Sequence, residues 1–255
     1  MLLYFSFFKH PLMNLIIDIG NTVAKLAVFQ KNELLRKEVV EQELVSEIIY
    51  NLFKEYFPIN KVVVSNVSSV SFRLPEKLQQ RVKLVELSAA TPLPFKNLYA
   101  TPATLGNDRK ALVAAAVKNY PAQNVLVIDA GTCITYDFKN AADEYLGGGI
   151  SPGLKMRFRA LNSFTANLPL VEAEGTCDLI GDSTISSIRS GVQQGTVMEI
   201  EGIIHTYSNR YRNLITIITG GDASFLSINL KNGIFANSNF LLEGLNYILE
   251  FNIDQ

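Results

Sequence analysis

Hydrophobic and polar positions along this chain switch between a two-residue period and a helical period, in an order that occurs twice. Residues 15–18 form a short apolar run that reads as a buried strand; Gly20 and Asn21 signal a turn, and residues 23–29 continue as a second strand. A turn at Lys31 and Asn32 precedes residues 33–40, so the chain opens with a three-strand meander. Over residues 41–57 the period changes: Leu44, Ile48, Leu52 and Tyr56 recur at helical spacing, and Pro58 ends the segment. Residues 61–65 and 82–87 return to strand. Pro92, Pro94 and Pro102 mark a long non-helical stretch, after which Asn107 and Asp108 read as the cap of a helix running through residues 111–118.

The same programme then restarts. Residues 124–138 read NVLVIDAGTCITYDF against NLIIDIGNTVAKLAVF at 14–29, and Asp129 lies 111 positions after Asp18. Residues 144–150 supply a third strand, 184–190 and 193–210 are helical in pattern, 214–219 form a strand, and 239–251 make a closing amphipathic helix. A repeat of this size predicts an α/β protein of two similarly folded lobes, residues 13–122 and 123–255, each a mixed sheet with a three-strand meander and flanking helices. The expected ligand site is a cleft between the lobes.

Composition narrows the partners. The chain has 255 residues, 48% apolar and 18% charged, which fits a globular protein with a sizeable core. With 23 Lys+Arg against 24 Asp+Glu there is no basic surplus to neutralise a nucleic-acid backbone or an anionic membrane, so neither is an expected partner. Two cysteines, Cys133 and Cys177, make neither a disulfide framework nor a C-x-x-C metal site, and a reducing cytoplasm is the default. His10 and His205 are too few and too scattered for a His-based zinc site. Residues 1–8, MLLYFSFF, raise the question of a signal peptide or anchor. No positive segment precedes them, no small-residue cleavage site follows, and Lys9, His10 and Pro11 cut the run well short of the roughly 20 residues a span needs. Residues 1–12 are read as an extension outside the fold, with Met13 as an alternative start.

The chemistry concentrates in Asp18-Ile19-Gly20-Asn21-Thr22 and Asp129-Ala130-Gly131-Thr132. Glycine lets backbone approach an anion, while Asn and Thr side chains and the turn N–H groups donate to phosphate oxygens. An aspartate at the strand end then faces that phosphate across a cation, and Lys25 adds positive charge. Either turn alone reads first as a hairpin, since Asp and Gly are common turn residues; the matched pair reverses that and points to a polyphosphate. Gly220-Gly221-Asp222, after an apolar strand, is either a strand-to-helix turn or backbone offered to a nucleotide. Residues 147–153, GGGISPG, are not a dinucleotide fingerprint because Pro152 takes the place of the last glycine, and no G-x-x-x-x-G-K-[ST] occurs. Cys133, with no histidine nearby in sequence, reads as a packed strand residue, and His205 as a helix-face residue.

Residues 18–25, DIGNTVAK, resemble the first phosphate motif of the type III pantothenate kinases, members of the acetate and sugar kinase and actin-like superfamily. The segment Thr104-Leu105-Gly106-Asn107-Asp108-Arg109 is similar to that family's G-x-D-R segment, and Asp129 to Thr132 to its second phosphate motif. Residues 147–153 resemble its glycine turn, and 181–191, GDSTISSIRSG, its threonine-bearing segment. Singly these are weak; five in order make a specific match. The resemblance implies two duplicated ribonuclease H-like (actin-like) lobes. It also implies ATP-dependent phosphorylation of the pantothenate hydroxyl to 4′-phosphopantothenate, the first step of coenzyme A biosynthesis, by a cytoplasmic homodimer that uses Mg²⁺ with ATP and potassium or ammonium.

By the same resemblance, Asp18, Ile19, Gly20, Asn21, Thr22, Val23, Ala24, Lys25 and Thr132 bind ATP, with Asp18 acting through Mg²⁺ and its waters. Asp129 ligates the monovalent cation. Tyr99, Gly106, Asn107, Asp108, Arg109 and Thr184 contact pantothenate, and Asp108 accepts the proton of its hydroxyl. Each also has a plain reading: Asp108 as a helix cap, Asp129 as a turn residue, Tyr99 as a core-edge aromatic, Thr184 as an N-cap. Two rivals stand beside the kinase reading, a superfamily kinase for a sugar or acetate and a nucleotide-binding regulator without catalysis. Asp18, Asp108 and Asp129 together argue against lost catalysis, and the balanced charge argues against direct DNA binding.

Overall fold

A computed structural model describes residues 12–21, 23–68, 71–231 and 234–253; the readings of residues 1–11 and of Thr22 lie outside the described residues. Strands β1 (Met13–Ile19), β2 (Ala24–Gln30), β3 (Glu33–Val40), β4 (Ile59–Asn66) and β5 (Lys83–Glu86) form one sheet in the order β3-β2-β1-β4-β5. Strands β6 (Lys96–Asn97), β7 (Val125–Ala130), β8 (Cys133–Lys139), β9 (Glu144–Pro152), β10 (Ile215–Thr219) and β11 (Phe235–Ala236) form a second, in the order β11-β10-β7-β8-β9-β6. The helices are α1 (Val45–Glu55), α2 (Glu76–Gln79), α3 (Asn107–Asn119), α4 (Leu154–Ser163), α5 (Thr184–Arg189), α6 (Gly195–Arg210), α7 (Ala223–Asn229) and α8 (Phe240–Ile253). Both sheets are mixed: the meanders β1-β2-β3 and β7-β8-β9 are antiparallel, while β4 and β10 join the first strand of each meander in parallel.

The chain forms two compact units. One comprises Met1–Pro94, Ala103–Ala111 and Leu242–Gln255; the other comprises Phe95–Pro102 and Leu112–Leu241. In the first, alternation along the strands sends Leu15, Ile17, Ile19, Leu26, Val28, Val62 and Val64 to one face, where they pack on Val45, Ile49 and Leu52 of α1. The other face carries Asn14 and Asp18, and the ladder sets Asp18 opposite Lys25 in β2 and Ser65 in β4. Helix α8 is tied to Asn14 on this face: Asn14 donates to Asn246 Oδ1 at 2.8 Å, Lys61 pairs with Glu250 at 2.8 Å, and Asn246 donates to the carbonyl of Lys31 at 2.7 Å. A Cβ on Gly244 would sit 1.8 Å from the Ala111 carbonyl oxygen, so α8 meets the first turns of α3 at backbone distance.

In the second unit, Leu126, Ile128, Ile134, Tyr136, Phe138 and Ile218 pack against Phe158 of α4, Ile200 and Ile204 of α6 and Leu226 of α7. The opposite face again carries polar groups, among them Thr135, Asp137, Lys139 and Thr219, all buried. Here the ladder sets Asp129 opposite Thr135 in β8 and Thr219 in β10. The two sheets therefore repeat the aspartate at the same step but differ in its cross-strand neighbour, lysine in one and threonine in the other.

One local expectation changes. Asn107 and Asp108 form the first turn of α3 instead of preceding it; the Asn107 side chain donates to the carbonyl of Leu87 at 3.0 Å and accepts from the Lys110 ammonium at 3.1 Å. The two helices read at 184–190 and 193–210 are α5 and α6, joined by a π-helical turn Ser190–Gln194. Helix α4 was not foreseen: Leu154, Phe158 and Leu161 have helical spacing but follow directly on the glycine-rich β9.

Candidate active site

In the first unit the site stands at the carboxyl ends of β1 and β4. The strand pattern buries Asp18 at 7% exposure, and Ser65 donates its hydroxyl to Asp18 Oδ1 at 2.9 Å. Burial pushes the Asp18 carboxyl above its ordinary value; Lys25 and the Ser65 bond oppose that rise, and the charge of Asp108 adds to it. Asp18 and Asp108, ninety positions apart in sequence, are thus within electrostatic reach of each other. Between β1 and β2, the Gly20 N–H donates to the Val23 carbonyl at 3.0 Å, and Asn21 is exposed. Ile19 and Ala24 belong to the apolar core, so only their backbone is available to a ligand.

The start of α3 brings Gly106, Asn107, Asp108 and Arg109 to the same end of the sheet. Lys110, buried, donates to the Ser88 carbonyl at 3.0 Å and to Asn107 Oδ1 at 3.1 Å, which with the Asn107 bond to Leu87 anchors the helix start on the segment after β5. Asp108 is half-buried, its Oδ1 accepting from the Arg109 N–H at 2.8 Å. Burial lowers the Lys110 pKa, and Asp108 opposes the shift. A Cβ on Gly106 would lie 2.3 Å from Asp108 Oδ1, so glycine is what leaves that carboxylate its room.

In the second unit, Asp129 ends β7 and the turn Ala130-Gly131-Thr132 follows, with Thr132 exposed. Two other segments close on this turn. Gly153 donates its N–H to the Thr132 carbonyl at 3.2 Å, and a Cβ there would be 2.3 Å from the Gly131 oxygen. Gly220, at φ +98°, would place a Cβ 2.4 Å from both the Ala130 oxygen and Asp129 Oδ1. The Asp222 N–H donates to the Ala130 carbonyl at 2.9 Å. Burial raises the Asp222 pKa, with Lys155 opposing. Gly131 and Gly220 thus bring backbone against the Asp129 carboxylate, and Gly153 closes on the turn beside it, an arrangement suited to oxygen-coordinated cations and to phosphate.

Tyr99, half-buried, stacks on Tyr145 with ring centroids 5.9 Å apart. Thr184 is exposed as the first residue of α5, behind Ser183, which caps the helix reciprocally with Ser186. It lines an open concavity of ≈ 800 Å³ with Gly181, Ser187, Ile188 and Leu161. The predicted site residues accordingly fall into groups: residues 18–21 and 23–25 with 106–109 in the first unit, and in the second the Asp129 turn, Tyr99 beside β9, and Thr184 at α5. Sequence reasoning missed Ser65 and Lys110. Ser65 was legible only as the end of an apolar strand, and Lys110 only as the neighbour of the D-R pair.

Two mixed sheets with a repeated strand-aspartate-turn-strand element, and glycine turns at the carboxyl ends of parallel strands, define a kinase-like protein of two duplicated ribonuclease H-like, actin-like lobes. Solved structures share this fold. A protein from Listeria monocytogenes described as an N-acetylmannosamine kinase aligns with TM-score 0.52 at 14% identity, over 93% of this chain and 98% of that one. One from Campylobacter jejuni, described as a Baf family transcriptional activator, aligns with TM-score 0.60 at 22% identity, over 94% of this chain and all (100%) of that one. The family model for type III pantothenate kinase matches residues 14–206. A type III pantothenate kinase from Christiangramia forsetii is 56% identical over 243 residues, 95% of this chain and 100% of that protein. The chain belongs to the type III pantothenate kinase family.

Proposed function

We propose that the chain transfers the γ-phosphoryl group of ATP to the terminal hydroxyl of pantothenate, giving 4′-phosphopantothenate and ADP, the first step toward coenzyme A. Family membership over nearly the whole chain supports this reading, and the observation that carries it is that Asp108, at the start of α3, lies within electrostatic reach of Asp18. The hydroxyl oxygen forms the new bond to γ-phosphorus, the bond from phosphorus to the ADP oxygen breaks, and the hydroxyl proton passes to Asp108. Phosphoryl transfer runs through a loose transition state, so Asp108 has chiefly to orient the hydroxyl. Arg109, a planar donor, suits the pantothenate carboxylate, with Gly106, Asn107, Tyr99 and Thr184 as further contacts. Residues 18–25 and Thr132 hold the ATP phosphates through backbone N–H groups, hydroxyls and Lys25.

The donor sets fit the cations this reading needs. Asp18 is a buried carboxylate whose charge Lys25 and the Ser65 hydroxyl offset only in part against burial, which suits Mg²⁺ acting through its water shell. Asp129 stands opposite Thr135 in the ladder, where Asp18 stands opposite a lysine, and the Gly220 backbone packs closely against its carboxylate; we assign it to potassium or ammonium. These ions supply charge neutralisation for the phosphate tail. We further propose a cytoplasmic homodimer, supported by the exposed apolar side chains Phe164, Leu170, Leu179, Ile180 and Ile185 on and before α5. Among the described residues no helix is long and apolar enough to cross a membrane.

A substrate panel tests the proposal. Purified protein with ATP, Mg²⁺ and potassium is expected to phosphorylate pantothenate and to leave acetate and hexoses unchanged. Phosphorylation of one of those in place of pantothenate would move the chain to a different kinase activity, and ATP binding without any product would move it to the regulator class.

A further inference from the structure

Behind Tyr99, in the second unit, lies a buried polar chain that the reaction as described does not use. Asp137 on β8 has no solvent exposure. Its Oδ1 accepts the hydroxyl of Tyr145 at 2.7 Å, and its Oδ2 accepts the hydroxyl of Thr135 at 3.1 Å. Tyr145, also fully buried, holds the Tyr99 ring in a stack tilted by 24° and takes the edge of Phe95 at 6.1 Å. The Tyr99 segment is laid along β9 by the Leu98 N–H bond to the Tyr145 carbonyl at 3.0 Å and by the Tyr99 N–H bond to Asn97 Oδ1 at 3.0 Å.

The register shows how Tyr145 comes to face Asp137. Phe138 pairs with Gly147 and Lys139 with Tyr145, a shift of one residue that leaves Leu146 as a bulge. Without it, alternation would turn Tyr145 toward the helices on the other face; with it, Tyr145 shares the face of Asp137 and Lys139. Gly147, at φ +104°, completes the arrangement, since a Cβ there would lie 3.3 Å from the Tyr99 ring. A tyrosine turned by a bulge onto a carboxylate with no exposure is a costly construction unless the orientation of that ring matters.

We infer that Asp137 and Tyr145 are positioning residues for pantothenate recognition: the bond from the Tyr145 hydroxyl to Asp137 fixes the ring on which Tyr99 stacks, and so fixes the Tyr99 face offered to the substrate. The inference rests on the reading of Tyr99 as a pantothenate contact.

Steady-state kinetics of Tyr145→Phe, which keeps the ring and removes the hydroxyl, tests it in both the parent and the Tyr99→Ala background. In the parent, the KM for pantothenate is expected to rise about five- to tenfold, the size of one lost hydrogen bond, with kcat and the KM for ATP changed less than about twofold. In the Tyr99→Ala background the same change should move the pantothenate KM by less than about twofold, since nothing remains to be positioned. Asp137→Asn, which keeps an acceptor for Tyr145, is the second variant and decides the matter if Tyr145→Phe does not fold; it should give a smaller rise that vanishes in the same background. Equal shifts in both backgrounds, or a shift in the ATP KM instead, overturn the inference. If Tyr99→Ala alone leaves the pantothenate KM unchanged, the assignment of Tyr99 has failed as well; if Tyr99→Ala raises it and neither second-site variant does, only the positioning role has failed.

Discussion

At the scale of single residues, Asp18 shows a site working against the stability of its own unit. Burial raises its folded-state pKa above the ordinary value of 3.8. A carboxyl with a raised pKa binds its proton more tightly when folded, so it favours folding at acid pH and loses that contribution as pH rises from the unfolded toward the folded value. Asp18→Asn keeps an acceptor for Ser65 and removes the buried charge. It is expected to raise the Tm of the ligand-free protein at pH 7, with the gain shrinking toward pH 4, while lowering kcat on the order of 10²-fold or more. A lower Tm at pH 7 would contradict this account of its environment. Asp108→Asn keeps the bond from the Arg109 N–H, so its Tm should match the parent while kcat falls on the order of 10²- to 10⁴-fold. The aspartates were legible because the D-x-G turn occurs twice and Asp108 sits in a recognisable segment. Ser65 and Lys110 were not, because ladder register and the docking of a helix start on a distant loop give them their partners.

At the scale of elements, two glycines test whether close backbone approach holds the site together. Gly244 lets α8 meet the first turns of α3, and Gly244→Ala would drive a Cβ to 1.8 Å from the Ala111 oxygen. Overpacking of this kind costs about 1–3 kcal/mol, and each kcal/mol lowers Tm by about 2–4 °C in a chain of this size; calorimetry checks it. Gly220→Ala combines an unfavourable φ with a Cβ against Asp129 Oδ1, and is expected to raise the potassium concentration needed for half-maximal rate, read from a potassium titration. The meanders and α1 followed from apolar periodicity and turn residues, and the observed strands keep nearly those bounds. The two-residue strands β6 and β11 are too short to carry a period. The π-helical turn Ser190–Gln194 shifts the helical phase by one residue and so broke one rod into two in the pattern. The bulge that turns Tyr145 onto Asp137 leaves no mark in a glycine-rich stretch.

For the whole molecule, the repeat is the organising fact: two sheets open with the same meander and place an aspartate at the same step, 111 positions apart. They have diverged at the residue facing it, Lys25 in one and Thr135 in the other. With a net charge of -1, the chain has little excess cation for a phosphate tail, and the proposed function gives that work to backbone donors and bound ions. Replacing potassium by sodium is therefore expected to remove most of the activity, with ammonium restoring it; full activity in sodium alone would count against the role given to Asp129. The central claim concerns the acceptor, and mass spectrometry of the products tests it most directly. With pantothenate, ATP, Mg²⁺ and potassium, the parent protein is predicted to yield 4′-phosphopantothenate in equal amount to ADP, and Asp108→Asn to yield almost none. ADP formed without phosphorylated pantothenate, or equal product from the two proteins, would contradict it.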